Sequence, residues 1–272
     1  MTSLRRYLLV VQYDGAPYQG WQRQPGGPTV QTELERVLGT ITGGSRTVTG
    51  SGRTDTGVHA LGQVAAVDVP ARWSACTLRR SMNALLPPEI WLREVRRVPA
   101  DFHPRFHPTA RVYEYRLGVA PEAASPFRSR WCWDLPGAGI DPDRLAAAAL
   151  LIPGRRSFRR FTRAGQPHRG EICEVAAADW TPWGRIGYRF RIEANRYLHR
   201  MVRYLVGTMV EIGLGRRPVA EMAEMLERPD TALRTSRPAP PEGLFLARVE
   251  YPPERVGDHP DRDPPSMDSP AA

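Results

Sequence analysis

The chain has 272 residues, of which 41% are hydrophobic and 25% are charged, and this balance is typical of one large or two ordinary globular domains. No apolar run approaches the roughly 20 residues that span a bilayer, and the N-terminus has no cleavable leader pattern, so we expect a cytoplasmic protein without a membrane anchor. The 38 basic residues outnumber the 29 acidic ones, and all of them are arginine. The absence of lysine excludes a Schiff-base lysine, a lysine-bound pyridoxal cofactor and a Walker lysine.

The positive charge lies before residue 252. Residues 252–272 contribute −3 to the net charge of +9, which leaves +12 on the body of the chain. A body this basic predicts a polyanionic partner such as nucleic acid, although an arginine-biased proteome would give the same composition. The final stretch is rich in proline and aspartate, which predicts a disordered tail. The three cysteines are odd in number and widely spaced, which favours buried thiols over disulfides or a zinc site.

The first hundred residues predict the β-α-β-β-α-β order of a ferredoxin-like unit. The predicted elements are a strand over 5–13, a helix over 29–41, strands around 47–49 and 64–69, a helix over 74–86 and a strand over 90–98. A loop over 14–28 alternates aromatic, amide and guanidinium groups, among them Gln22 and Arg23. Such a loop suits contact with bases or sugars, and a loop anchored by one buried tryptophan would have the same composition.

The predicted elements of the second half follow the order of the first half only loosely, and its sequence is not a repeat of the first. A linker over 101–108 holds two histidines, each followed by a proline that prevents them from sharing a helix face. On the strand predicted over 109–119, Arg111, Tyr113 and Tyr115 share one face. The remaining predicted elements are a helix over 141–151 capped by Asp141, strands over 173–180 and 186–193, helices over 196–214 and 219–226, and a closing strand over 243–251. Residues 155–163 hold five arginines around two phenylalanines, typical of a solvated face or an RNA-facing patch.

One short glycine-rich loop, residues 50–60, carries the carboxylate of Asp55 two residues after the guanidinium of Arg53. The loop lacks the lysine that a phosphate-binding loop needs after Gly57, and Asp55 has no close acidic companion to share a hard cation. No nucleophile-elbow motif is present. A lone carboxylate held ionised by arginines can act as a nucleophile, and it can equally form a structural salt bridge that closes a turn. The residues alone leave both interpretations open.

The loop sequence over 52–60 resembles the signature of the tRNA pseudouridine synthase A family. Four further groups of segments resemble motifs of that family, in family order: 13–15 with 20–24, 102–106 with 110–115, 198–203 with 206–208, and 239–246. All of these segments lie within residues 5–251. Ser51 stands where alanine is frequent, and 156–158 and 235–238 also depart from the family pattern. The change at Ser51 replaces one small residue with another and has little consequence, and the other departures concern RNA contacts rather than the catalytic assignment.

The resemblance implies an enzyme that isomerises uridine to pseudouridine at positions 38, 39 and 40 of the tRNA anticodon stem-loop, without metal or cofactor. Asp55 would be the nucleophile, and Arg203 would pair with it and keep it ionised. Tyr113 would stack on the target base, and Arg53 would hold the gap left in the stem or the backbone of the extruded nucleotide. Further candidate RNA contacts are Gln22, Arg23, His59, Arg105 and Arg111.

The implied fold is α+β, with two ferredoxin-like (RRM-like) halves joined into one mixed, mostly antiparallel sheet that has helices on one side and a basic cleft between the halves. We expect halves over 1–105, carrying the Asp55 loop, and 106–251, followed by the tail over 252–272. The resemblance also implies a homodimer whose partner is tRNA. A non-catalytic RNA-binding module would fit the charge and the aromatics, but it gives no reason for Asp55 within a cationic surface. A nucleotide-binding loop enzyme is disfavoured by the missing lysine.

Overall fold

The computed structural model describes residues 3–162 and 170–256. Its strands are Leu4–Tyr13 (β1), Thr49–Gly50 (β2), His59–Pro70 (β3), Ile90–Arg97 (β4), Ala110–Gly118 (β5), Trp133–Asp134 (β6), Gly154–Ser157 (β7), Ile172–Trp183 (β8), Gly187–Ala194 (β9) and Leu244–Glu250 (β10). Its α-helices are Val30–Thr42 (α1), Ala75–Asn83 (α2), Pro142–Leu150 (α3), Met201–Gly213 (α4), Val219–Glu227 (α5) and Pro253–Val256 (α6).

The described residues form two compact units. The first comprises 3–109 and 245–256, and the second comprises 110–162 and 170–244. The closing strand β10 thus packs almost entirely with the first unit, whereas the predicted halves place it in the second. The domain boundary that we predict between residues 105 and 106 remains a prediction. None of the helices in the described ranges is long and apolar enough to cross a membrane.

The sheet of the first unit is built around β1 and β3, which pair antiparallel from Leu4 opposite Pro70 to Tyr13 opposite Ala60. The other edge of β1 pairs antiparallel with β4, and the other edge of β3 carries β2 in antiparallel and the first residues of β10 in parallel orientation. The sheet is therefore mixed and mostly antiparallel, and with its helices it confirms the predicted α+β class. The β-α-β-β-α-β order of the first hundred residues is confirmed as well.

The helices of the first unit follow from local sequence. The apolar side chains on α1 recur at helical spacing and are buried, and Thr29 caps its N-terminus in a capping box with Thr32. The helix predicted to reach residue 86 ends at Asn83 instead. The Asn83 side chain both donates to the carbonyl oxygen of Leu92 at 2.9 Å and accepts from its amide at 2.8 Å. These two bonds tie the last helical turn to β4.

The second unit has the strand order β5-β9-β8-β7, with antiparallel pairs throughout, and β6 adds to the end of β5 in parallel. Asp141 caps α3 as predicted, accepting from the amides of residues 143 and 144. The arginine-rich stretch from residue 155 begins inside the unpredicted strand β7, and its two phenylalanines, Phe158 and Phe161, are fully buried. The predicted surface patch is therefore in part a core element, and its last arginine, at 163, lies outside the described residues.

Three expectations about particular segments need correction. The helix predicted from residue 196 begins only at Met201, because Arg200 adopts a left-handed conformation with φ 61°. Cys132 and Cys173 are buried, and burial raises the pKa of each thiol to about 11, but Cys76 is exposed. The tail predicted from residue 252 lies outside the described residues from 257 onward, and the part before that includes the short helix α6.

Candidate active site

The loop between β2 and β3 begins with a buried hydrogen-bond network. The Ser51 amide donates to the Val64 carbonyl oxygen at 2.8 Å, and the Ser51 hydroxyl donates to Gln63 Oε1 at 2.7 Å. Gln63 Nε2 then donates to the Gly52 carbonyl oxygen at 3.0 Å. Ser51 and Gln63 are both buried, so the loss of any of these bonds would leave a desolvated polar group. The network fixes the path of the backbone just before Arg53.

The centre of the loop is held against the segment that follows β1. The Trp21 amide donates to the Thr54 carbonyl oxygen at 3.2 Å, and the Tyr13 and Thr54 hydroxyls form a hydrogen bond of 2.8 Å. Trp21 is buried, whereas Gln22 and Arg23 beside it are exposed. The buried-tryptophan interpretation of this segment is therefore correct for Trp21, and the two exposed side chains remain candidates for RNA contact.

Gly20 makes the close approach to Thr54 possible. A Cβ atom at Gly20 would lie 2.5 Å from the Thr54 carbonyl oxygen, and its φ of +83° already disfavours any side chain. Gly20→Ala is therefore expected to lower the free energy of unfolding by about 2 kcal/mol or more and to displace the loop. Gly43→Ala is the matched control, because Gly43 has a similar φ of +74° with nothing within 4 Å of the added Cβ.

Thermal unfolding of the two variants measures this effect. Gly43→Ala should show the backbone strain alone, about 1 kcal/mol. Equal destabilisation of both variants would contradict a steric role for Gly20.

Asp55 lies where the loop turns into β3. Its carbonyl oxygen accepts from the Val58 amide at 3.1 Å, and Gly57 between them takes a left-handed φ of 78°. Side chains alternate along this stretch: Arg53 is exposed, Thr54 is buried and Asp55 is half-buried. The carboxylate thus extends from a turn whose backbone is set by other residues, and it keeps partial access to solvent.

His59 supports the loop from inside the first unit, where it is only 1% exposed. Its Nδ1 lies 3.0 Å from the Gly15 amide and 3.1 Å from Asp14 Oδ1. Because an amide must donate, Nδ1 accepts in the bond with Gly15. The ring also stacks on Phe245 of β10, with centroids 4.8 Å apart. This burial favours a supporting role for His59 over the predicted RNA contact.

Tyr113 lies on β5 in the second unit and is half-buried. Its ring meets Tyr197 edge to face, with centroids 4.9 Å apart and planes at 80°. The Tyr197 hydroxyl donates towards the carbonyl oxygens of Arg111 and Ile192, at 2.9 and 3.0 Å, and burial raises the pKa of Tyr197 well above its usual value. Tyr197 therefore stays neutral and fixes one side of the Tyr113 ring.

Arg203 lies in the first turn of α4. Its Nε donates to the Ala239 carbonyl oxygen at 2.6 Å, and the Ala239 amide donates to the Arg203 carbonyl oxygen at 2.9 Å. One turn further along, a Cβ at Gly207 would lie 2.1 Å from the carbonyl oxygen of Arg237, so the segment over 237–239 lies directly on the helix. This contact holds the guanidinium of Arg203 in one orientation.

The predicted site residues thus divide between the two units. Those in the first unit are Gln22, Arg23, Arg53, Asp55, His59 and Arg105, and those in the second are Arg111, Tyr113 and Arg203. The supporting residues Gln63 and Tyr197 were not predicted. Gln63 did leave a signal, because it is the one amide in the otherwise apolar and glycine-containing sequence over 60–67. Within the described ranges, no three His, Cys, Asp or Glu side chains converge as a metal site would require.

Comparison with known proteins identifies the family. The model of the family described as tRNA pseudouridine synthase matches residues 9–107 and 147–252, which include Asp55 and Arg203 but not Tyr113. The chain belongs to the tRNA pseudouridine synthase family. It is therefore an isomerase that acts on tRNA, and the predicted enzyme class is confirmed.

Individual relatives agree with the family assignment. The tRNA pseudouridine synthase A of Chlorobaculum tepidum is 40% identical over 250 residues, covering 92% of this chain and 99% of the relative. The tRNA pseudouridine synthase A of Geobacter sp. strain M21 is 34% identical over 249 residues, covering 92% and 100%. A crystal structure of a Cbf5-Nop10-Gar1 complex aligns over 88% of this chain and 48% of its own, with 11% identity and a TM-score of 0.37, a likeness too weak to support an inference.

Proposed function

We propose that this tRNA pseudouridine synthase converts uridine to pseudouridine at positions 38, 39 and 40 of the anticodon stem-loop, with Asp55 as the nucleophile and without a cofactor or metal. The observation that carries the proposal is the position of Asp55, a half-buried carboxylate on a turn held by the buried partners of Ser51 and Thr54. A group positioned by its surroundings loses little entropy when it reacts. Its place inside the matched family region adds support.

The reaction needs little beyond one positioned carboxylate. Asp55 would assist cleavage of the N1–C1′ bond by attack on the sugar, by attack on the base, or by removal of a sugar proton. The uracil then turns, a bond forms between C5 and C1′, the proton at C5 leaves, and N1 gains a proton. Atoms and electrons balance within the nucleotide, so the isomerisation consumes no oxidant or reductant.

We propose that Arg203 pairs with Asp55 and keeps its carboxylate ionised, because an opposite charge within a few ångströms favours the charged form. The support is the fixed guanidinium, whose Nε is held by Ala239. A guanidinium that is already oriented loses less side-chain entropy when it binds a carboxylate than a mobile one does.

Base recognition is assigned to Tyr113 and Arg53. Tyr113 would stack on the extruded uracil, supported by the edge-to-face contact with Tyr197. Arg53, which is exposed, would hold the phosphate backbone or the gap left in the stem. Extrusion of a base costs a few kcal/mol, and arginine–phosphate contacts, to which Gln22, Arg23, Arg105 and Arg111 would add polar and charged groups, can offset that cost.

The deciding experiment is incubation with unmodified tRNA transcript followed by chemical labelling of pseudouridine and mapping by primer extension. We expect new labels at uridines 38, 39 and 40 and none in a transcript with cytidines at those three positions. Labels confined to other regions of the tRNA would overturn the proposed site. A divalent-metal chelator should leave the rate unchanged once the tRNA is folded.

We further propose that the protein acts as a cytoplasmic homodimer, as the family resemblance implies. Sedimentation velocity at micromolar concentration should give a mass near twice the 30.5 kDa of one chain. A monomer that is fully active at the same concentration would contradict this.

The acidic tail is expected to be dispensable. Truncation after Tyr251 removes net negative charge, which would oppose rather than assist binding of a polyanion. It also removes the exposed contact between Arg255 and Asp101, and exposed ion pairs contribute at most about 1 kcal/mol. We therefore expect modification rates within about twofold of the full chain and a small drop in melting temperature. A truncated enzyme that loses activity at the same melting temperature would contradict the prediction.

A further inference from the structure

Two aromatic rings in tilted contact lie on the surface of the first unit. Phe106 is 67% exposed, an unusual state for a large aromatic side chain, and its ring lies against that of His103 with centroids 4.3 Å apart and planes at 30°. The exposed side chain of Arg105 comes between the two residues in sequence. We call residues 101–109, which carry this pair, the hook.

The base of the hook is anchored in the core. Phe102 is fully buried and packs on the ring of Tyr251, with centroids 5.2 Å apart. The Tyr251 hydroxyl donates to the carbonyl oxygen of Pro104 at 2.6 Å, and Arg6 donates to the carbonyl oxygen of Phe102 at 3.0 Å. These contacts restrain the backbone on which the exposed ring is mounted.

The hook is also closed internally by its two histidines. The His103 amide donates to His107 Nδ1 at 3.2 Å, and the Arg105 amide donates to His103 Nδ1 at 3.1 Å. Each Nδ1 is thus an acceptor, which places the proton of a neutral ring on Nε2. Burial and the nearby charges of His107, Arg6 and Arg105 lower the pKa of His103. His103 is therefore uncharged at neutral pH, and its ring suits stacking better than an ion pair with phosphate.

We propose that Phe106, packed against His103, is a platform for an unpaired nucleotide base of the tRNA substrate. Proteins bind single-stranded RNA with aromatic rings on which bases stack and with basic groups that contact phosphates. The preformed surface of Phe106, beside the exposed guanidinium of Arg105, offers both. The body charge of +12 attracts a polyanion to the protein. The inference rests on tRNA being the substrate but not on which of its positions is modified.

Replacement of the ring tests the platform. Phe106→Ala should raise the Kd for unmodified tRNA by about 5- to 150-fold, the range of one base–aromatic stack. Phe106→Trp should restore binding, and Phe106→Leu should not, because leucine keeps the apolar area without the ring. The matched control is Phe127→Ala, which removes a phenylalanine that is 87% exposed on the second unit and should leave the Kd unchanged.

Salt dependence separates stacking from charge. Phe106→Ala should leave the slope of log Kd against log salt unchanged, whereas Arg105→Gln should reduce it by about 0.7 to 0.9. A normal Kd for Phe106→Ala, or full rescue by Phe106→Leu, would overturn the platform. A sedimentation coefficient reduced to that of a monomer in Phe106→Ala would overturn it in favour of a contact between copies.

The platform and the proposed modification sites can fail independently. Binding of tRNA is measured without turnover. Weaker tRNA binding by Phe106→Ala would therefore support the platform even if the wild-type enzyme modifies other uridines. Labels at positions 38, 39 and 40 together with unaltered binding by Phe106→Ala would leave the proposed function intact and remove the platform.

Discussion

Asp55→Asn is expected to lower pseudouridine formation by at least about 1,000-fold while the Kd for tRNA stays within about threefold of wild type. The amide has the same shape as the carboxylate, but it neither attacks carbon nor accepts a sugar proton. The loop should keep its conformation, because its hydrogen bonds run through Ser51, Thr54 and the backbone oxygen of residue 55 rather than depend on that carboxylate alone.

The matched control for this variant is Asp68→Asn. Asp68 lies on β3, the strand that follows the Asp55 loop, and its carboxylate is paired with Arg6 at 2.6 Å, away from the Asp55 turn. The control should therefore cost some stability and leave single-turnover modification rates near normal. Near-normal turnover by Asp55→Asn, measured at saturating enzyme, would exclude Asp55 as the nucleophile.

Much of the fold could be predicted because its signals are local. The apolar spacing on α1 and the capping residues Thr29 and Asp141 each act within one or two turns of chain. The unpredicted features depend on tertiary contacts. The strand β7 forms because Ile172 and the residues after it provide a partner, and nothing in its arginine-rich sequence indicates that pairing.

The position of the candidate site was predictable, but the means by which it is held was not. The residues that fix the loop lie far from it in sequence: Ser51 and Gln63 are 12 residues apart, and Tyr13 and Thr54 are 41 apart. His59 shows the same limit, since the sequence offers it as a candidate RNA contact without indicating that its side chain is buried. Such long-range pairs leave no periodic pattern in a single sequence.

The serine at position 51 has a larger role in the structure than its sequence context indicates. From sequence, serine in place of the frequent alanine is a change between small residues with little consequence. In the structure its hydroxyl donates to the fully buried Gln63, whose amide in turn holds the backbone of Gly52. Serine and Gln63 therefore act as one unit, and an alanine at this position would remove a hydrogen bond from a desolvated amide at a cost of about 1–3 kcal/mol.

Arg203→Leu is the second variant with a large expected effect. It should lower the single-turnover rate of pseudouridine formation by about 100-fold or more, because it removes the cation proposed to keep the Asp55 carboxylate ionised and oriented. The loss in stability should be near 1 kcal/mol, since the side chain gives up its bond to Ala239 while the backbone bond between the same residues remains. The activity loss should thus exceed the stability loss.

Two further variants separate charge from geometry. Arg203→Lys keeps the charge and loses the Nε bond to Ala239, so its rate should fall between those of wild type and Arg203→Leu. Arg216→Leu is the matched control for loss of an exposed arginine near the other end of the helix, where the guanidinium is paired with Glu211, and it should retain wild-type rates. A strongly lowered melting temperature with retained activity in Arg203→Leu would assign this residue to the fold. Rates for Arg203→Lys equal to those of Arg203→Leu would show that the planar guanidinium, and not charge alone, is what the site requires.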